Sequence, residues 1–188
     1  MCRGYFVQIL NVYGSHWLTI SNVGCPDGTV NIFDSLPNCA LSVNTELQIA
    51  AILFLTDYKQ ITVNFVDVQI QGNSTDCGVY ALAYATLICC GDDPSKITYV
   101  SHKLREHLLN NLEHNVMTSF PQRDRMKKPR IRQQTSFKIY CECRKPEYGP
   151  MINCNVCQEW YHKECVRAPA AAWKKNSFNW RCNRCLKY

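Results

Sequence analysis

Eight candidate metal ligands crowd the last quarter of this 188-residue chain. They run Cys141-x-Cys143, Cys154-x2-Cys157, His162-x2-Cys165 and Cys182-x2-Cys185. Thiolate and imidazole are the softer donors that suit a closed, redox-inert zinc ion, and four close pairs supply two tetrahedral sites. The chain holds 13 cysteines, an odd count, so complete internal disulfide pairing is excluded. The N-terminus, Met1-Cys2-Arg3-Gly4, leads into a strand-like run rather than a signal peptide, which favours zinc over disulfides. A segment of roughly 50 residues has a marginal core, and metal binding would supply its folding free energy.

A second set of residues has the makings of a nucleophilic site. His16 is followed by Trp17, Asp34 ends a strand-like run, and Cys77 opens an apolar one, preceded by Gln71 and followed by Gly78. A thiol attacks as its thiolate, which a helix N-terminus and a nearby imidazolium both favour. Asp34 would orient the ring of His16, and the Gln71 amide would donate to a developing oxyanion. Gly78 leaves backbone room beside the attacking sulfur.

These residues need elements to hold them. Residues 5–12 and 16–22 read as two strands around a Tyr13-Gly14-Ser15 turn, and 29–34 as a third after Pro26-Asp27-Gly28. Residues 44–56 read as a helix with Asn44 or Ser42 as N-cap. Residues 61–70 alternate, but the phase slips at Phe65–Val66, which predicts a bulge. Residues 77–90 are apolar all round, as a helix buried on every side would be, and Gly91-Asp92-Asp93-Pro94 ends them. Residues 98–118 carry Leu104, Leu108, Leu112 and Val116 at helical spacing. The first domain, 1–120, is thus expected to be α+β, a few strands around a central buried helix.

Charge divides the chain. Residues 1–120 carry 5 Lys/Arg against 10 Asp/Glu, residues 121–138 carry 7 against 1, and residues 139–188 carry 9 against 4. The middle stretch, with two prolines and few apolar residues, reads as a basic linker, and its Lys127-Lys128-Pro129-Arg130-Ile131-Arg132 run fits a nuclear-import signal. Nuclear localisation is the expectation. Direct nucleic-acid binding ranks third among the partner readings, because no base-reading helix is evident. The longest apolar run, near 77–90, falls short of the roughly 20 residues that span a bilayer, so neither a membrane protein nor a conventionally secreted one is expected.

The ligand order of residues 139–188 resembles the PHD finger. That resemblance implies a cross-braced fold: Cys141, Cys143, His162 and Cys165 on one zinc, and Cys154, Cys157, Cys182 and Cys185 on the other. Trp180 falls where the family keeps a core aromatic. Tyr140, Tyr148, Met151 and Trp160 match positions that line a methyl-lysine cage, where a trimethylammonium with no N–H is held by ring faces and a polarizable thioether. A histone H3 tail is the implied partner. The family also engages an unmodified arginine through acidic residues. The stretch Asn153-Cys154-Asn155-Val156-Cys157 lacks a carboxylate, which leaves Glu147 and Glu159 as the nearby candidates.

His16-Trp17, Asp34 and Gln71-x5-Cys77-Gly78 resemble the ubiquitin-like-protein proteases, the SUMO-processing family and its relatives. The resemblance implies a papain-like core with Cys77 as nucleophile, His16 as base, Asp34 as orienter and Gln71 as oxyanion donor, with no cofactor. Trp17 would line the channel admitting the Gly-Gly tail of a ubiquitin-like conjugate. The expected chemistry is peptide or isopeptide hydrolysis through a thioester. Only fifteen residues precede His16, where the family carries a substantial N-terminal lobe, so a partial core is expected. The alternative is an inactive protease remnant that serves as scaffold for the finger.

Overall fold

A computed structural model describes residues 4–36, 41–126, 128–173 and 179–186. Lys127, in the basic run, lies outside them. The chain divides into two compact units, residues 1–40 with 62–136, and residues 41–61 with 137–188.

The first unit opens with the hairpin β1 (Val7–Val12) and β2 (His16–Ser21), registered so that Val12 faces His16. Tyr13 and Gly14 both take positive φ in the connecting turn, 57° and 72°. That pair of signs is what a hairpin needs to match strand twist. β3 (Thr29–Phe33) pairs antiparallel with β2, after a turn closed by Thr29 N donating to Pro26 O. β4 (Gln60–Val66) pairs parallel with β3, and the expected bulge at Phe65–Val66 is absent. The strand ends at Val66, and the phase slip marks that end: Val63 through Val68 are all buried, so alternation stops reporting a face.

Residues 121–138 are not the linker expected from their composition. They contain β6 (Gln122–Asp124) and β7 (Ile131–Lys138), and β7 completes a five-stranded sheet in the order β1-β2-β3-β4-β7. Most of β7 is exposed, so an edge strand with polar side chains looks like a linker when only hydropathy is read. β6 pairs with the short β5 (Ile97–Tyr99).

The helix expected over 77–90 is α2 (Cys77–Cys89). Its Tyr80, Ala83, Tyr84 and Leu87 pack with Phe33, Val68, Tyr99 and Phe120 in the main core. Two polar groups in this apolar layer are satisfied by backbone carbonyls, Thr19 Oγ1 donating to Ala81 O at 2.6 Å and Tyr84 Oη to Gln69 O at 2.8 Å, while the buried Tyr99 hydroxyl has no partner among the described residues. The helix expected over 98–118 is shorter. β5 takes its first residues, and only α3 (Leu104–Glu113) is α-helical. Asn115 at φ 52° breaks the helix after His114.

In the second unit, α1 (Val43–Ile52) is capped by Ser42, whose Oγ accepts from Thr45 N at 3.1 Å, so of the two candidate caps Ser42 serves. The finger contributes one hairpin, β8 (Met151–Asn153) with β9 (Trp160–His162). A small core of Ile152, Tyr161, Ala172 and Trp180 lies between the ligand pairs, which bears out Trp180 as a packing residue. Tyr161 and Trp180 meet edge to face at 5.4 Å. No helix among the described residues is long and apolar enough to cross a membrane.

Candidate thiol site and metal centres

The thiol site assembles where the ends of β2 and β3 meet the start of α2. His16 opens β2, and its Nε2 donates to Asp34 Oδ1 at 2.8 Å. Asp34 follows β3 and is 3 % exposed; the same oxygen accepts Leu36 N at 2.8 Å, and its carbonyl accepts Arg132 Nη2 at 3.0 Å. With the proton on Nε2, the other ring nitrogen, Nδ1, is left as an acceptor. It is buried and has no hydrogen-bond partner. A free, lone-pair-bearing nitrogen held in place by a carboxylate is what a general base requires.

Cys77 is the first residue of α2 and a free thiol. It lines a cleft of about 680 Å³ with Ile9, Ser15, Trp17, Gly78 and Leu82. Trp17 is 43 % exposed, and its ring edge lies 3.6 Å from where a Cβ on Gly78 would sit. A Cβ at 78 would make ordinary van der Waals contact with the indole. No hydrogen bond joins His16 to Cys77, a contact that commonly tightens only when substrate is bound.

Gln71 sits on the loop into α2 and is 6 % exposed. Its Oε1 accepts Ser35 Oγ at 2.5 Å and its Nε2 donates to Asn73 O at 2.6 Å. The rest of the loop is equally fixed. Asn73 Oδ1 accepts Thr75 N and Asp76 N at 2.9 and 3.0 Å. The Asp76 carboxylate takes Asn73 Nδ2 at 2.6 Å and Arg105 Nε at 2.7 Å. Those bonds, Asn73 first and Arg105 after it, hold the Asp76 carboxyl below its ordinary pKa. Asp76 therefore stays ionised beside Cys77 and ties α3 to the loop that precedes α2.

Sequence reasoning missed three of these supports. Arg132 lay in the stretch read as linker, and Ser35 and Arg105 carry no motif. Only Arg105, a basic residue on a recognisable amphipathic helix, left any signal.

The metal centres form within the finger. The donor atoms of Cys141, Cys143, His162 and Cys165 lie within 4.8 Å of one another, as do those of Cys154, Cys157, Cys182 and Cys185. Tetrahedral zinc with sulfur at about 2.3 Å sets its ligands about 3.8 Å apart, so both groups fit. The pairing is cross-braced, first ligand pair with third and second with fourth. His162 is 1 % exposed, its Nε2 donates to Pro146 O at 2.9 Å, and Nδ1 lies 3.2 Å from Cys143 Sγ. The backbone carbonyl thereby fixes the tautomer that offers Nδ1 to a metal. Burial first, then the neighbouring thiols, pushes Cys165 up to about 12. Burial also acts on Cys154, but backbone N–H groups of Cys157, Cys182 and Val156 outweigh it and bring that thiol down to about 6. The second centre thus carries a ready thiolate. Cys185 of that same centre is pushed up to about 12 as well, by desolvation and then its neighbouring thiols, so each centre also has a thiol whose ionisation a divalent cation would favour.

The four aromatic and thioether residues are partly brought together. Met151 pairs with His162 and Asn153 with Trp160, so Met151 and Trp160 share one face of the β8–β9 hairpin. Tyr148 stacks on His162 at 4.3 Å, with Lys145 Nζ 5.2 Å from its centroid. Tyr140 bridges to Lys145 through the backbone. Trp160 is 46 % exposed, while Tyr140, Tyr148 and Met151 are half-buried.

Fold and site together define a protein with a papain-type thiol site and a two-centre zinc-finger module. Residues 5–135 match the Ulp1 protease family, C-terminal catalytic domain, and residues 141–185 match the PHD-finger. The chain belongs to the Ulp1 protease family and carries a PHD finger. Among curated proteins it is similar to the Lid2 complex component lid2 of Schizosaccharomyces pombe, 55 % identical over 29 residues. It is also similar to the Multicopy suppressor of chk1 protein 1 of the same organism, 57 % identical over 28 residues. Each match covers 15 % of this chain and 2 % of the relative. No solved structure matches the chain significantly.

Proposed function

We propose that the protein hydrolyses ubiquitin-like conjugates and that its finger reads a methyl-lysine-bearing histone H3 tail in the nucleus. The observation that carries the hydrolytic reading is the His16–Asp34 pair, which leaves a buried, unpartnered Nδ1 as base for the thiol that opens α2. Cys77 gives its proton to His16 Nδ1 and attacks the carbonyl carbon after the Gly-Gly tail, which passes beside Trp17. Gln71 donates to the oxyanion. The C–N bond breaks as His16 returns the proton to the leaving amine, and a thioester remains. Water, deprotonated by His16, attacks the thioester and restores the Cys77 thiol. The two centres hold two structural zinc ions, and zinc plays no part in the hydrolysis.

The finger reading is supported by the shared face of Met151 and Trp160, on which Tyr148 stacks against His162. A trimethylammonium would be gripped there by ring faces and thioether. Glu147 and Glu159 both raise the Tyr140 pKa, behind burial, so two carboxylates lie near that ring and favour a cationic peptide, while Lys145 lies over the Tyr148 ring.

A panel of ubiquitin-like-tail suicide probes tests the hydrolytic reading. One probe is expected to label Cys77, and Cys77→Ser is expected to abolish both labelling and turnover without loss of folding. The rival reading, a scaffold without activity, draws on the absence of a His16–Cys77 hydrogen bond. It wins if no probe labels a chain that still binds two zinc ions.

A further inference from the structure

We propose that Ser35 is a positioning residue that sets the Gln71 amide for oxyanion binding. The inference rests on the hydrolytic reading and extends it to the group that aims the donor. A primary amide offers one acceptor oxygen and two N–H donors. Both ends of Gln71 are gripped: Ser35 Oγ donates to Oε1 at 2.5 Å, and Nε2 donates to Asn73 O at 2.6 Å. The backbone is gripped as well, Gln71 N donating to Ser35 O at 2.9 Å.

The orientation of the amide follows from these partners. Asn73 O accepts only. A flipped amide would set Oε1 against it, acceptor to acceptor. Ser35 occupies the oxygen that remains, so the amide has one stable setting. In that setting one N–H of Nε2 is uncommitted among the described residues, and the developing oxyanion takes it. Neither partner is free to drift. Ser35 is 1 % exposed, so water does not compete for its hydroxyl. Asn73 is locked by its own bonds to Thr75 N and Asp76 N.

Ser35 directly follows Asp34, so one two-residue turn serves two tasks. Asp34 orients the base through His16, and Ser35 orients the oxyanion donor through Gln71. Losing the Ser35 hydroxyl frees Oε1 and lets the amide rotate, and it leaves the His16–Asp34 bond in place.

Three readouts on the full chain separate this role from a purely structural one: turnover of a fluorogenic ubiquitin-like-tail substrate, alkylation of Cys77 by iodoacetamide, and the side-chain amide NMR signals of Gln71. Alkylation builds no oxyanion, so it reports the thiol and base alone. Gln71→Ala is expected to lower kcat about 100-fold, the usual loss of one oxyanion donor. Ser35→Ala is expected to lower kcat about tenfold, the worth of one buried hydrogen bond, with KM and the alkylation rate unchanged. It should also shift the Gln71 amide signals. The double variant is expected to match Gln71→Ala alone, because Ser35 acts only through that side chain. Additive losses, or Gln71 amide signals unmoved by Ser35→Ala, overturn the proposal. Should Ser35→Ala not fold, Ser35→Cys, similar in size with a weak donor, is read by the same criteria. A wild-type chain without turnover sinks the hydrolytic reading, and the Gln71 signals then decide the clamp by themselves.

Discussion

The finger and the thiol site solve the same problem, the placing of reactive side chains, in opposite ways. The finger draws eight ligands from one short stretch, and local knuckles aim them. Cys141, Arg144 and Gln158 take φ of 59°, 55° and 59° at the turns that bring paired ligands round. The thiol site draws His16, Asp34, Gln71 and Cys77 from two strand ends, a loop and a helix start, and aims them with hydrogen bonds from residues with no chemistry of their own. A site organised by an ion needs little core, and one organised by a fold needs all of it. In the finger, ligand spacing carries the information. In the thiol site, the information lies in contacts between residues far apart in sequence, such as Arg132 with Asp34.

Three experiments would break or sharpen that contrast. The largest effect is expected from removing the metal. Chelation should unfold residues 139–186, because structural zinc contributes about 10 kcal/mol or more to folding a module of this size. Loss of dispersed NMR signals from Tyr161 and Trp180 would report it. A finger that keeps its dispersion without metal would show that its own core suffices.

A smaller loss, about 2 kcal/mol, the range for hydrogen bonds to a charged group, is expected for Asp67→Asn in the sheet unit. Burial works against the Asp67 carboxylate, but hydrogen bonds and charge from Arg130 and Arg125 more than offset it and hold its pKa below the ordinary value. A depressed pKa contributes stability above the unfolded value. That contribution drains away as pH falls below about 4, through the folded pKa. Urea midpoints measured from pH 7 downward should therefore converge for wild type and variant in acid. Midpoints that stay apart at low pH would show that the pair acts by packing rather than charge.

The smallest effect is expected at the hairpin face. Trp160→Ala should weaken binding of a methylated H3 peptide by about 1–2 kcal/mol, the range for a cation over a desolvated ring, with zinc content unchanged. Unchanged affinity in calorimetry would remove the cage reading and leave the metal centres untouched.

How much of this was legible in advance varies with the range of the interaction. α2 stood out because fourteen consecutive residues, 77–90, are almost all apolar, and no other arrangement buries them. Ser42 and the Tyr13-Gly14-Ser15 turn were legible for the same local reason. β7 was not. Its buried member Phe137 is outnumbered by polar neighbours, and its strand conformation comes from pairing at the sheet edge. The phase slip at Phe65–Val66 was real, but it marked a strand end, because the buried Asp67 and Val68 leave the ladder there. The zinc ligands were identified from spacing and then found clustered as expected. The four residues proposed to form the cage were harder to place, because Tyr148 stacks on a candidate ligand histidine, a contact that no spacing announces.

By itself the sequence determined the donor set of both metal centres, the buried helix with Cys77 at its head, and which histidine and aspartate carry the matching motif. Each is a matter of residue type and local spacing, and neighbours along the chain supply the physics. The tertiary structure alone decided which ring nitrogen of His16 is free, what holds Gln71, and that Arg132 belongs to the site. Those are hydrogen-bond choices between groups 18, 36 and 98 positions apart. They exist only once the sheet and α2 have excluded water from the groups that make them.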